Sequence, residues 1–497
     1  MAVALTLLSI VGGRAEYRYR LTLDGKPDSQ LVPLSERAEE RRARLGIECD
    51  STDLEVSPTY LSQLADAGLK LITQSRWLNT VVVMNANGTK ITDWSAFPFV
   101  TKVETLTTVQ RATAPRRESV LEDPVKPING SSRSPLLQVN AMKPLYEAGF
   151  RGKDMLIAVL DAGFTRVNTW DWLMDRVVGY KDLYTVTSGI DHTFDGDTHG
   201  SCCLSIMASP QSHGVWGTAQ EADYYLIRTE TDDSESQLEE DMWVAGAELA
   251  DSLGADVISS SLGYYSFDVG EDHTIEQMGH NETFVSQGAK IACQKGLLVC
   301  NAAGNEGNKP WKSLIFPADT EEVLTVGGVT SAGQAANFTS RGFLHPYVKP
   351  DVSALAVNCY TVDANDPMGG SIHTGSGTSY ATPLIAGLCA SLWSAVPSLR
   401  PEELRRVVRE SASQFATPDS IIGYGIPDFG IALQLARELV GEEQGIETIN
   451  ADAPKGNTDT YYYNIWGQPM RKPAQTGFGI ERHLRRKSFR ICSFQQR

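Results

Sequence analysis

Two different rhythms of apolar and polar residues divide this chain. In the first hundred or so residues the apolar positions come in separate pieces. Tyr17–Leu23 alternates as a strand, Ser57–Gly68 has helical spacing behind a Ser-Pro start, and further strands are expected at Leu78–Met84 and Phe99–Val103. Together they describe a small α+β module. From Met155 onward, short and almost wholly apolar runs (MLIAVLDAG, ADYYLIRT, ADVISSSLG, GLLVCNAAGN) alternate with helical stretches around His199, through VAGAELADSLG and through Ala289. Strands apolar on both faces and separated by helices imply right-handed βαβ crossovers. The expected class is therefore α/β, a mostly parallel sheet with helices on both faces. Chemistry in such sheets gathers at the carboxyl ends of the strands.

Between the two regions, Thr108–Pro135 is rich in Arg, Pro, Ser and Gly and reads as an exposed linker, with a processing site expected within 108–133. The start, Ala2–Gly13, is apolar, too short to span a bilayer and followed by small residues, as expected of a signal peptide over 1–15. After Glu442 the chain turns polar, then gives Tyr461-Tyr-Tyr-Asn-Ile-Trp-Gly-Gln and a basic end with Arg482, Arg485, Arg486, Lys487 and Arg490. The expected organisation is a leader over 1–15, a module over 16–107, a linker over 108–133, the main domain over 134–440 and an extension over 441–497. No segment offers the roughly 18 uninterrupted apolar residues of a transmembrane helix.

The formal net charge of -17 is unevenly placed: residues 1–133 hold 17 Lys and Arg against 16 Asp and Glu, so the surplus of negative charge lies downstream. That balance argues against nucleic acid as a partner. The acidic stretch Thr229–Asp241 (TETDDSESQLEED) is expected to be a solvated loop and helix start, or else to line a cleft. The eight cysteines, at 49, 202, 203, 293, 300, 359, 389 and 492, show no C-x-x-C spacing, and most lie in apolar runs where a buried free thiol is the default.

Four elements carry candidate chemistry. Ile157-Ala-Val-Leu-Asp161-Ala-Gly163 ends a buried strand in a carboxylate. Asp197-Thr-His199-Gly-Ser201 places a histidine at the start of the helix that holds Cys202 and Cys203. Ala303-Gly304-Asn305-Glu306-Gly307 ends another strand in an amide, a good oxyanion donor. Gly375-Ser-Gly377-Thr-Ser379-Tyr-Ala-Thr-Pro383 leads a serine onto a helix N-terminus, where free N–H groups favour negative charge. Taken singly, each has a structural alternative: a capping Asp, a core His, a Ser N-cap. A Cys203–His199 dyad is disfavoured because the cysteines fall inside the apolar helix, and a thiolate needs a polar, accessible setting.

In their order Asp, His, Asn, Ser, and in their flanking residues, the four elements resemble the subtilisin-like (subtilase) serine proteases. The G-T-S-x-A-T-P element is the most specific. The resemblance covers about residues 134–440, and the module before it is similar to a subtilase propeptide, an intramolecular chaperone and inhibitor. It implies a secreted serine endopeptidase in which Ser379 is the nucleophile, His199 the general base and then acid, Asp161 the residue that orients the imidazole, and Asn305 the oxyanion donor. Ser261, Leu262 and Gly263 would pair with extended substrate backbone, opposite Ala303 and Gly304, with a roomy specificity pocket between. Tyr380 departs from the Met usual after the nucleophile. Sedolisins share Gly-Thr-Ser but carry carboxylates in place of His199. The tail around Tyr463–Met470 and Gly477–Ile480 loosely resembles type IX secretion sorting tails, with a small structural β-unit as the alternative. An exopeptidase on the same triad and an inactive subtilase-fold scaffold are the rival functions. Expected partners are polypeptide substrates and the chain's own propeptide. No cofactor is required for the chemistry and no metal ligand is assigned, because no D-x-D-x-D-G loop is present, although subtilases commonly hold structural calcium.

Overall fold

The computed structural model describes residues 17–85, 89–106, 136–213, 215–231, 235–268 and 270–441, and four short strands between 461 and 493. The expected leader, the whole of the linker with its expected processing site, and most of the extension lie outside the described residues.

The N-terminal module pairs β1 (Arg18–Leu23), β2 (Leu69–Ser75), β3 (Thr80–Asn85) and β4 (Val100–Thr105) in the antiparallel order β2-β3-β1-β4, with α1 (Glu36–Leu45) and α2 (Pro58–Asp66). Ser57 caps α2 through its hydroxyl, with Pro58 at the first helical position, as its sequence predicts. Apolar periodicity did not predict α1, because its buried face includes Arg41 and Arg42 beside Ala38 and Leu45.

The main domain runs α3 (Leu136–Glu147), β5 (Leu156–Asp161), α4 (Asp171–Met174), β6 (Val177–Asp182), α5 (Thr185–Ser188), α6 (His199–Ala208), β7 (Asp223–Arg228), α7 (Leu238–Leu253), β8 (Val257–Ser260), α8 (Phe284–Gln294), β9 (Leu298–Ala302), β10 (Leu324–Val329) and β11 (Val352–Leu355). A hairpin, β12 (Cys359–Val362) and β13 (Ile372–Gly375), precedes α9 (Thr378–Ala395), α10 (Pro401–Glu410) and α11 (Phe429–Leu439). Seven parallel strands form one sheet in the order β11-β10-β9-β8-β5-β7-β6. Successive strand residues point to opposite faces. Ile157 and Val159 therefore pack with α6 and α9, while Leu156, Ala158 and Leu160 pack with α7 and α8. The α/β expectation holds, with the α+β module before it. The seven cysteines whose side chains are described are free thiols, five of them buried. No described helix is long and apolar enough to cross a membrane. The C-terminal unit, taken by itself, is a small antiparallel sheet of β14 (Tyr461–Tyr463), β15 (Pro469–Met470), β16 (Phe478–Arg482) and β17 (Phe489–Ser493) in the order β15-β14-β16-β17.

The module docks on α7 through buried ion pairs and through an apolar cluster of Ile72 and Val82 with Leu238 and Met242. Asp251 meets Arg41 at 2.5 Å, Arg42 at 2.6 Å and Arg76 at 3.1 Å. Arg20 meets Asp241 at 2.5 Å, and Lys295 reaches Asp53 at 2.8 Å. Burial alone would raise the Asp53 pKa, yet Arg42 and Lys295 hold it at about 2. Glu248 accepts from the Ser75 hydroxyl and the Trp77 N–H, and the Trp77 ring joins Trp243, Val244 and Ala247 in the core. The acidic stretch Thr229–Asp241 is thus not a solvated loop in its described parts. Glu230, Glu239, Glu240 and Asp241 are all buried, and the last of these pairs with the N-terminal module.

Removing one partner of a buried ion pair strands the others at a cost of about 3–5 kcal/mol. Asp251→Ala, which leaves three guanidinium groups short of a carboxylate, is expected to lower the unfolding free energy of the full chain by about that amount. Urea titration measures it, and an unchanged midpoint would show that the cluster contributes nothing net.

Candidate active site

The site is assembled where β5, β8 and β9 end and where α6 and α9 begin. Asp161 closes β5, a strand buried along its whole length, and is itself fully buried. A buried carboxylate needs partners. Its Oδ1 accepts from the Ala162 N–H at 2.8 Å and lies 2.8 Å from His199 Nδ1. The approach depends on Gly200, where a Cβ would lie 2.4 Å from the Gly163 carbonyl oxygen and 2.8 Å from Asp161 Cβ. Only a glycine lets the first turn of α6 settle this closely on the end of β5. The imidazole keeps some access to solvent, with 22% of its side chain exposed.

Burial works against a charged imidazole, but the Asp161 carboxylate outweighs it and carries the His199 pKa well above the ordinary histidine value. Cys203, one turn further along α6, places its sulfur 3.9 Å from Nδ1 and donates to the Ser379 carbonyl at 3.3 Å. Burial pushes its thiol pKa up, so it serves as a neutral contact beneath the imidazole, in keeping with the disfavoured dyad.

Ser379 is the second residue of α9, half-buried, and its hydroxyl donates to the Ser261 carbonyl at 3.4 Å. Its own carbonyl is free of the helix for a local reason. The residue four positions on is Pro383, which has no N–H to donate. The Ser261 hydroxyl (2.8 Å) and the Cys203 thiol take its place, tying the start of α9 to the end of β8 and to α6.

Asn305 is held by its carbonyl end. Oδ1 accepts from the Thr378 N–H at 2.9 Å and the Thr378 hydroxyl at 3.0 Å, and that hydroxyl accepts in turn from the Gly304 N–H at 3.2 Å. With Oδ1 so occupied, the amide NH2 is left for the cleft. Thr378 was not assigned a role from sequence, and neither was Asn301. Asn301 is fully buried at the end of an apolar strand and donates to the Leu262 carbonyl at 3.0 Å, fixing the segment after β8. A polar residue within an otherwise apolar run was the available signal.

Of the five residues expected along the substrate path, Leu262 and Ala303 are buried, the Leu262 carbonyl accepts from Asn301, and Ala303 has its N–H bonded to Val326 and its carbonyl to Ile315, so these groups are already occupied. Gly263 has no backbone hydrogen bond among the described residues. The roomy pocket between the two segments is not found: the Ile315 side chain stands between Gly263 and Gly304. Asp161, His199 and Cys203 are the only described His, Cys, Asp or Glu group with ligand atoms close enough for one metal ion, within 4.8 Å of one another. An ion there would compete with the Asp161–His199 bond itself.

A carboxylate bonded to an imidazole, and a serine at a helix N-terminus with an amide fixed alongside, are groups that nucleophile-and-base hydrolases use. The Peptidase S8 family, described as the Subtilase family, matches residues 152–425, and a Peptidase S8 propeptide domain of Bacteroidota matches residues 23–120. The chain belongs to the subtilase family. It is 26% identical over 296 residues to the serine protease AprX of Bacillus subtilis, a match covering 55% of this chain and 65% of AprX. It is 28% identical over 270 residues to subtilisin DY of Bacillus licheniformis, covering 53% of this chain and 86% of the relative. The fold is similar to that of fervidolysin from Fervidobacterium pennivorans, a keratinolytic enzyme related to subtilisin, with a TM-score of 0.57 at 18% identity over 87% of this chain and 62% of that one.

Only a neutral imidazole can accept a proton, so a raised His199 pKa moves the acid limb of reactivity upward. The rate at which a fluorophosphonate modifies Ser379 is expected to rise with pH through a pKa above about 6.5, the ordinary histidine value. In Asp161→Asn, which removes the charge responsible, the limb moves down and the rate falls. An acid limb below pH 6 in the unsubstituted chain would contradict the electrostatics described here.

Proposed function

We propose that this chain is the precursor of an exported serine endopeptidase that cleaves extended polypeptides through an acyl-enzyme. The observation that carries this reading is the 2.8 Å contact of buried Asp161 with His199, with Cys203 touching both that imidazole and the carbonyl of Ser379 at the start of α9. Ser379 Oγ turns from the Ser261 carbonyl to His199 Nε2, gives up its proton there and attacks the substrate carbonyl carbon. The oxyanion is met by the Asn305 NH2 and by the Ser379 backbone N–H. The imidazolium, stabilised by Asp161, then protonates the leaving amine, and water enters by the same steps in reverse. Every step uses groups of this chain, and no cofactor takes part.

Binding of an extended polypeptide is favoured by the unpaired backbone of Gly263, to which a substrate chain can add. The 23–120 match to a propeptide domain supports the N-terminal module as intramolecular inhibitor, and the apolar start supports export.

Ser379→Ala is expected to abolish labelling by a fluorophosphonate, with the adduct on the unsubstituted protein mapping to Ser379 by mass spectrometry. Labelling that persists elsewhere, or its absence after the N-terminal module has been removed, would favour the inactive scaffold. Asn305→Ala should lower kcat by about 10²–10³, the range the loss of such a donor has in a subtilisin itself, with little change in KM. Products from a denatured protein should be internal fragments. Release of terminal residues alone would make the enzyme an exopeptidase.

A further inference from the structure

We infer that Ile315 restricts this enzyme to substrates with a small residue, glycine, alanine or serine, on the acyl side of the bond it cuts. This rests on the proposed peptidase activity and adds to it the class of sequence accepted.

The crevice follows from the sheet. β8 and β9 are parallel neighbours, and beyond Ser260 and Ala302 their chains continue as 261–263 and 303–305. Both continuations touch the start of α9. Ser261 bonds Ser379, while Gly304 and Asn305 bond Thr378. The gap between them therefore opens at the nucleophile, and the side chain next to the reacting carbonyl must enter it.

Ile315 already occupies that gap. Its N–H donates to the Ala303 carbonyl at 3.2 Å, which sets it against one wall. A Cβ added to Gly263 would lie 2.5 Å from Ile315 Cγ1, and one added to Gly304 would lie 3.0 Å from the same atom, so the side chain touches both walls through their glycines.

The walls are also tied together. Tyr264 and Phe316 exchange both backbone hydrogen bonds, at 2.8 and 2.9 Å, immediately beyond Gly263 and Ile315. Tyr265 stacks on Trp311 at 4.7 Å between ring centres, and its hydroxyl donates to Glu306 at 3.0 Å, one residue from Asn305. A gap tied across by these contacts and filled by a branched side chain accepts a methyl or hydroxymethyl group. A benzyl group would have to displace Ile315 or part the walls. Differences of this kind in an apolar pocket discriminate by roughly 10–200-fold.

The test uses the full chain after its own processing and two peptide amides that differ only in alanine or phenylalanine before the scissile bond. Active enzyme is counted by fluorophosphonate titration. The unsubstituted enzyme is expected to favour alanine by about tenfold or more in kcat/KM, and Ile315→Gly to reverse the order mainly through the phenylalanine peptide. Sequencing the cleavage sites that the unsubstituted enzyme makes in a mixed peptide library gives the same answer without any substitution, should the variant fail to fold. An enzyme that titrates fully yet prefers phenylalanine overturns this inference and leaves the peptidase reading standing. Neither titration nor cleavage overturns both.

Discussion

The site depends on one electrostatic constraint: a carboxylate placed at the end of a strand with no access to water. Buried there without partners, a carboxylate would forgo the hydrogen bonds that water supplies, at a cost of several kcal/mol. The Ala162 N–H and the His199 ring nitrogen are the partners that Asp161 finds instead. The imidazole reaches it only because Gly200 allows helix to meet strand without a side chain between them. The base is thus oriented by the same contact that makes the buried charge tolerable, and stability and chemistry make the same demand here.

The nucleophile is placed by the complementary device, the removal of a hydrogen bond. Pro383 leaves the Ser379 carbonyl unclaimed within α9, and that vacancy is filled from β8 and α6 by Ser261 and Cys203. Thr378, the preceding residue, carries Asn305. Two neighbouring residues of one helix turn therefore hold the nucleophile and orient the oxyanion donor, and their relative position is fixed by covalent geometry. The reacting groups come from four distant parts of the chain, but few independent contacts are needed to bring them together.

What could be read in the sequence follows from how local each signal is. Asp161, His199, Asn305 and Ser379 each stand where apolar periodicity breaks, flanked within a few residues by glycine, so their elements were legible. Thr378 and Asn301 act on partners 73 and 39 positions away, and their neighbours in sequence say nothing of this. Ile315 was illegible because its effect comes from two glycines on different segments, and the small residues there were read as open space. Helix α1 was missed because apolar spacing cannot reveal a face buried through arginine.

That arginine face separates two kinds of buried surface in this protein. The sheet core is apolar and gains its full burial free energy, about 25 cal/mol per Å². The contact between the N-terminal module and α7 mixes the two: ion pairs, whose desolvation offsets most of their attraction, lie beside Trp77 packed with Trp243 and Val244 and beside Ile72 and Val82 clustered with Leu238 and Met242. When such an interface parts, Asp241, Glu248 and Asp251 on α7 recover water as carboxylates do on any surface and limit the apolar area laid bare, whereas a wholly apolar interface of equal area would leave a larger patch prone to association. The ionic part of the docking thus makes the α7 surface specific when covered and less prone to association when bare. A module whose removal is part of the proposed function needs both properties, and a purely hydrophobic contact would supply only the first.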